Sequence, residues 1–69
     1  MKLSARNNYK GKIVELTKGS VNTEIVIELP SKERIVSIVT NNSVENLGLS
    51  VGKEAYAIIK ASSVIVGVD

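Results

Sequence analysis

Three short segments of this sequence carry hydrogen-bond donors and no carboxylate. Ser4 and Arg6 flank Ala5 in Ser4-Ala5-Arg6-Asn7, Thr40 and Ser43 bracket the start of a short helical stretch, and Lys60 and Ala61 sit where a strand breaks. A bare dianion needs that combination. Arginine and lysine supply charge, hydroxyls and backbone N–H groups supply directional bonds, and no acceptor competes for the donors. A helix opening after Thr40 would add free N–H groups and a favourable dipole. The residues alone leave a second reading open. Ordinary turn and cap chemistry accounts for Ser4 and Ser43, and simple solvation accounts for Arg6 and Lys60.

Other chemistries are poorly served. The chain has no Cys and no His, which removes disulfides, Cys/His metal sites, thiol nucleophiles and imidazole bases. No metal site is expected, and no cofactor. The carboxylates Glu15, Glu24, Glu28, Glu33, Glu45, Glu54 and Asp69 fall in no catalytic motif, and a solvated face accounts for them. There is no phosphate-cradling GxxxxGK[ST] and no GxGxxG. The sequence therefore does not read as an enzyme. Nucleic-acid binding would want aromatic platforms and a basic groove. Tyr9 and Tyr56 are the only aromatics and the net charge is +2, thin support for that use. Lys10, Lys12 and Lys18 near one hairpin are equally well read as protective charges on a strand edge.

The donors must be positioned by a small β domain. The apolar residues are dominated by Val and Ile, β-branched types that suit pleated surfaces. From Gly11 the pattern is strand-like, and Lys18-Gly19-Ser20 is a turn signal. Val21, Thr23, Ile25, Ile27 and Leu29 then alternate with Asn22, Glu24, Val26 and Glu28, completing a hairpin. Pro30-Ser31-Lys32-Glu33 breaks the ladder, and a third strand runs from Arg34 to Thr40. Asn42 and Glu45 have the spacing of a capping box, with Asn42 as cap and Gly48 as the left-handed stop of a two-turn helix. A fourth strand spans Glu54 to Lys60. A break at Ala61-Ser62-Ser63 precedes a last apolar run, Val64–Val68.

This order predicts an all-β fold: a small OB-like Greek-key barrel of about five strands with one short helix. Strand exchange between subunits is the alternative way to complete it, with Leu3–Tyr9 as an edge strand at the subunit boundary. Residues 1–69 form a single domain. So short a chain buries only about 60% of its unfolded surface, so oligomerisation is expected to support it. No signal peptide and no membrane-spanning run are visible, and the chain reads as soluble and cytoplasmic.

Taken together, the segments resemble the molbindins, the small Mop-type, TOBE-like molybdate-binding proteins. The resemblance is carried by Ser4-Ala5-Arg6-Asn7 with Gly11, then by Gly19, Val21 and Glu24 through Ile27. It continues in Ser37-Ile38-Val39-Thr40-Asn41-Asn42-Ser43 with Leu47-Gly48-Leu49 and Gly52-Lys53. It ends in Ile58-Ile59-Lys60-Ala61-Ser62-Ser63-Val64. Nearly the whole chain is covered, in order.

The resemblance implies an OB-like barrel assembled as a homohexamer, a trimer of dimers, with molybdate or tungstate bound between subunits by hydrogen bonds. Ser4, Arg6, Lys60 and the Ala61 backbone would come from one chain, and Thr40 and Ser43 from its partner. Asn7 and Ser62 would be secondary contributors, and family hexamers hold further sites near their symmetry axes. The implied role is molybdenum storage and homeostasis inside the cell. The competing class is an OB-like oligomerisation or regulatory module with weak nucleic-acid or generic anion binding.

Overall fold

The computed structural model describes all residues, Met1–Asp69. Four strands make one antiparallel sheet: β1 (Asn7–Lys18), β2 (Asn22–Glu28), β3 (Arg34–Thr40) and β4 (Glu54–Ile59). A seven-residue helix, α1 (Asn41–Leu47), follows β3, and a 3₁₀ turn (Ala61–Ser63) follows β4. The spatial order β3-β2-β1-β4 returns the last strand beside the first, a Greek key. No helix is long and apolar enough to cross a membrane.

β1 is longer than the sequence pattern suggests, because one strand serves two partners. Its first half pairs with β4, from Asn7↔Ile59 to Lys12↔Glu54, and its second half with β2, from Lys12↔Glu28 to Lys18↔Thr23. Asn7–Tyr9 pairs with β4 along one side, while β2 meets β1 only from Lys12 onward, so the other side of this segment stays open as an edge. The changeover needs a bend. A register shift between Ile13 and Glu15 supplies part of it. Gly11 supplies the rest, because a Cβ there would lie 2.6 Å from the Glu28 carbonyl oxygen and 2.7 Å from Ile27 Cγ2.

The inner face follows the alternation in β2 and β4. Ile13, Ile25, Ile27 and Ala57 form the core, with Leu16, Leu29, Ile35, Val39, Val44, Leu49 and Ala55 packed around it. Only 5 of 69 residues are buried, so the sheet curls into a half-barrel without closing. Between its two edges lies a cleft of about 530 Å³, lined by Ile35 and Val36 of β3 and by Tyr56, Ala57, Ile58 and Ile59 of β4. Val64–Val68 joins no strand, and Ile65 is 94% exposed.

α1 is capped by Thr40, whose side-chain oxygen accepts from the Ser43 N–H at 3.1 Å. Asn42 is not the cap, and the expected Asn42/Glu45 capping box does not form. Asn42 lies inside the first turn, past the point where a side chain can fold back as cap. At the other end Gly48 takes the left-handed conformation, φ 62°, with its N–H on the last turn's carbonyls. Lys53 Nζ donates to the carbonyls of Leu47 and Gly48, both at 3.0 Å, and offsets the negative end of the helix.

The β2–β3 turn contains one unfavourable backbone. Lys32 has φ 76° and donates its N–H to the Leu29 carbonyl at 2.9 Å. A side chain in this region costs roughly 1–2 kcal/mol, partly offset for glycine by its looser unfolded state. Lys32→Gly is therefore expected to stabilise the fold by about 0.5–1 kcal/mol, raising the melting temperature by a few degrees. The Lys32–Glu28 contact it removes is 4.0 Å long, with the lysine exposed, so its loss matters little.

Candidate oxyanion site

The β1–β4 register decides where the first donors lie. With Asn7 opposite Ile59, Arg6 and Lys60 leave the ladder together at one end of the sheet. Ser4 and Ala5 precede on one strand, and Ala61 and Ser62 follow on the other. Ser4, Arg6, Lys60, Ala61 and Ser62 are exposed, and Asn7 is half-buried. The 3₁₀ turn is closed by Ser63 N–H to the Lys60 carbonyl at 2.9 Å and by Val64 N–H to the Ala61 carbonyl at 3.3 Å. It turns the chain sharply at the point where the lysine emerges.

No carboxylate lies within ion-pair distance of Arg6 or Lys60. The chain's ion pairs involve Lys10, Lys32 and Arg34 instead. Lys10 Nζ stands 2.8 Å from Glu54 Oε2, at the far end of the β1–β4 ladder. Their hydrogen bond, reinforced by charge attraction, raises the Lys10 amine above its ordinary value and lowers the Glu54 carboxyl. Glu54 thereby adds a little stability above the ordinary carboxylate range, lost as pH falls through its lowered value. Lys10 adds stability below the ordinary lysine range, lost as pH rises through its raised value. Both side chains are exposed, so salt screens the pair.

Thr40 and Ser43 sit elsewhere. Thr40 faces Asn22 at the start of β2, beside the end of β1. The whole of β1, twelve residues, separates them from Arg6. Such a strand runs on the order of 35 Å along its path, although the curl of the sheet brings Ser37 of β3 into the same cleft as Lys60. The sequence-predicted donors therefore form two groups, one at each end of β1.

The local chemistry of the second group is specific. Thr40 Oγ1 accepts from Ser43 N–H and donates its own proton to Ser43 Oγ at 2.9 Å. The Ser43 hydroxyl proton is then left to donate outward, polarised by the bond it receives. The helix itself offers less than expected. The Asn41 N–H is taken by the Val21 carbonyl at 2.9 Å, and the Ser43 N–H by Thr40. The hydroxyls and the Asn42 N–H are the available donors.

One pair was missed by the sequence reading. Thr23 is 1% exposed, and its hydroxyl donates to Asn41 Oδ1 at 2.6 Å. The signal was present: Thr23 is the one polar residue on the apolar face of β2, and a hydroxyl there requires a partner.

The TOBE domain family matches residues 3–66 of this chain. A probable molybdenum-pterin-binding protein of Haemophilus influenzae is 52% identical over 69 residues, spanning 100% of both chains. Among solved structures, apo MopII of Clostridium pasteurianum superposes with a TM-score of 0.93 at 42% identity, covering 97% of this chain and 100% of its own. The cytoplasmic molybdate-binding protein ModG, in a form with molybdate bound, gives a TM-score of 0.96 at 43% identity. It covers 100% of this chain and 49% of its own.

Proposed function

This chain belongs to the TOBE domain family, and from that premise we propose that it binds molybdate reversibly, without catalysis, between subunits. The observation that carries this reading is the pair of unneutralised cations, Arg6 and Lys60, leaving one end of the β1–β4 ladder together. These cations match the dianion's charge. Ser4 and the Ala61 N–H of the same chain, with Thr40 and Ser43 of a partner, give it direction. Asn7 and Ser62 support the edge of the site. Tungstate, near-isosteric with molybdate, is held by the same donors. Sulfate is rejected by cavity size. A protonated phosphate is rejected because no carboxylate is present to accept its proton.

The assembly is a homohexamer, a trimer of dimers, and its role is storage and homeostasis of molybdenum in the cytoplasm. The half-open barrel supports an obligate oligomer. Val36 and Ile38 on β3 are 58% and 61% exposed, and Val64–Val68 is an apolar segment that pairs with no strand of its own chain. Strand exchange, in which that segment completes a neighbouring barrel, buries both at once. Anion binding at the boundary then stabilises the assembly by mass action.

Native mass spectrometry of the protein alone, with molybdate, and with excess sulfate tests the proposal. A hexamer that gains a defined number of molybdates and no sulfates is the expected result. A monomer or dimer that ignores molybdate would overturn it and leave an OB-like interaction module.

A further inference from the structure

We propose that Thr23 and Asn41 are positioning residues of the oxyanion site, whose buried hydrogen bond holds Thr40 and Ser43 in their donating arrangement. The inference rests on the molybdate-binding reading above, and neither residue touches the anion.

The argument starts from a hydroxyl in an apolar row. Thr23 shares the inner face of β2 with Ile25 and Ile27, all buried. Valine has nearly the same shape and would fill that position without a polar atom to desolvate. Packing alone therefore does not call for threonine here. The hydroxyl is satisfied by one partner, Asn41 Oδ1, at 2.6 Å.

Asn41 in turn bonds through its side-chain oxygen, its side-chain amide and its backbone N–H. Its Nδ2 donates to the Gly19 carbonyl at 3.0 Å and its backbone N–H to the Val21 carbonyl at 2.9 Å. Three bonds from one residue thus tie the start of α1 to the β1–β2 turn and to β2. Asn41 directly follows Thr40, so fixing it fixes the peptide that sets Thr40 in its extended conformation, ψ 154°. That conformation is what lets Thr40 Oγ1 take the Ser43 N–H and pass its proton to Ser43 Oγ. α1 has only seven residues, none fully buried and only Val44 packed against the core, so its own packing is a weak hold on this geometry. The clasp does.

The test compares molybdate titration calorimetry with thermal unfolding for the assembled protein and its variants. Thr23→Val preserves volume and removes the hydroxyl. It is expected to bind molybdate about tenfold more weakly, as an unpaired Asn41 oxygen lets the first turn shift. Thr23→Ser preserves the hydroxyl and loses a methyl group. It is expected to melt lower yet bind within about twofold of the parent protein. If Thr23→Val does not fold, Asn41→Ala replaces it, with the same tenfold loss expected. A merely structural clasp would make affinity follow melting temperature across the set, and that ordering would overturn the inference. So would unchanged affinity in Thr23→Val. A parent protein that ignores molybdate would overturn the binding reading together with this one. Binding by the parent with an indifferent Thr23→Val removes only the positioning role.

Discussion

Arg6→Ala and Lys60→Ala are each expected to weaken molybdate binding by about 100-fold while leaving the fold in place. In the proposed site the dianion is desolvated as it enters a subunit boundary. Each missing cation leaves charge there that no other nearby side chain can neutralise. Neither residue makes an ion pair or a side-chain hydrogen bond that supports the sheet, and both are exposed. Their removal is therefore expected to change the melting temperature of the anion-free protein by no more than a degree or two. Arg6→Lys is expected to recover only part of the affinity, since an ammonium keeps the charge but not the planar fork. Titration calorimetry at two salt concentrations is the measurement. Parent-like affinity in both alanine variants would show that the anion sits elsewhere.

Gly11→Ala carries the largest expected effect on stability. At an ordinary strand position, exchanging glycine for alanine stabilises by about 0.5–1 kcal/mol through the unfolded state. Here the sign should reverse. The new Cβ would meet a backbone carbonyl oxygen at 2.6 Å, 3.2 Å from its carbon, with Ile27 Cγ2 at 2.7 Å. Backbone cannot move aside as a flexible side chain can, so β1 must lift off β2 at the point where it changes partners. The expected loss is about 3 kcal/mol or more. For a chain this size that is a large part of the total stability. Chemical denaturation gives the midpoint shift. A Gly11→Ala protein as stable as its parent would mean that β1 crosses β2 less closely than described.

Much of this fold was legible as pattern. Thr23, Ile25 and Ile27 against Glu24 and Glu28 gave the inner and outer faces of β2, and Ala55, Ala57 and Ile59 those of β4. Arg34–Thr40 and the left-handed Gly48 were also readable, since Pro30 and glycine punctuate them. What stayed hidden depends on partners distant in sequence. Asn7–Lys12 shows no alternation, because that half of β1 lines an open part of the barrel, so its pairing with β4 leaves no mark on composition. Thr40-Asn41-Asn42-Ser43 offers four residues able to cap a helix. Position alone did not choose Thr40. The choice is made by Asn41, whose side chain is already committed to Thr23 and Gly19. The donor groups of the candidate site were legible as residue types, but their separation along β1 follows only from the register.

The double use of β1 also sets an order of assembly for the chain itself. Its second half meets β2 across a short turn, and β3 follows β2 closely, so this three-stranded meander closes small loops and forms early. Its first half waits for β4, which arrives only after nearly the whole chain has been laid down. Long-range pairing of that kind is slow, because loop entropy is lost before contacts repay it. Lys60 hangs directly on the end of β4. The end of the sheet that carries both cations is therefore the last part of the protein to become a surface at all.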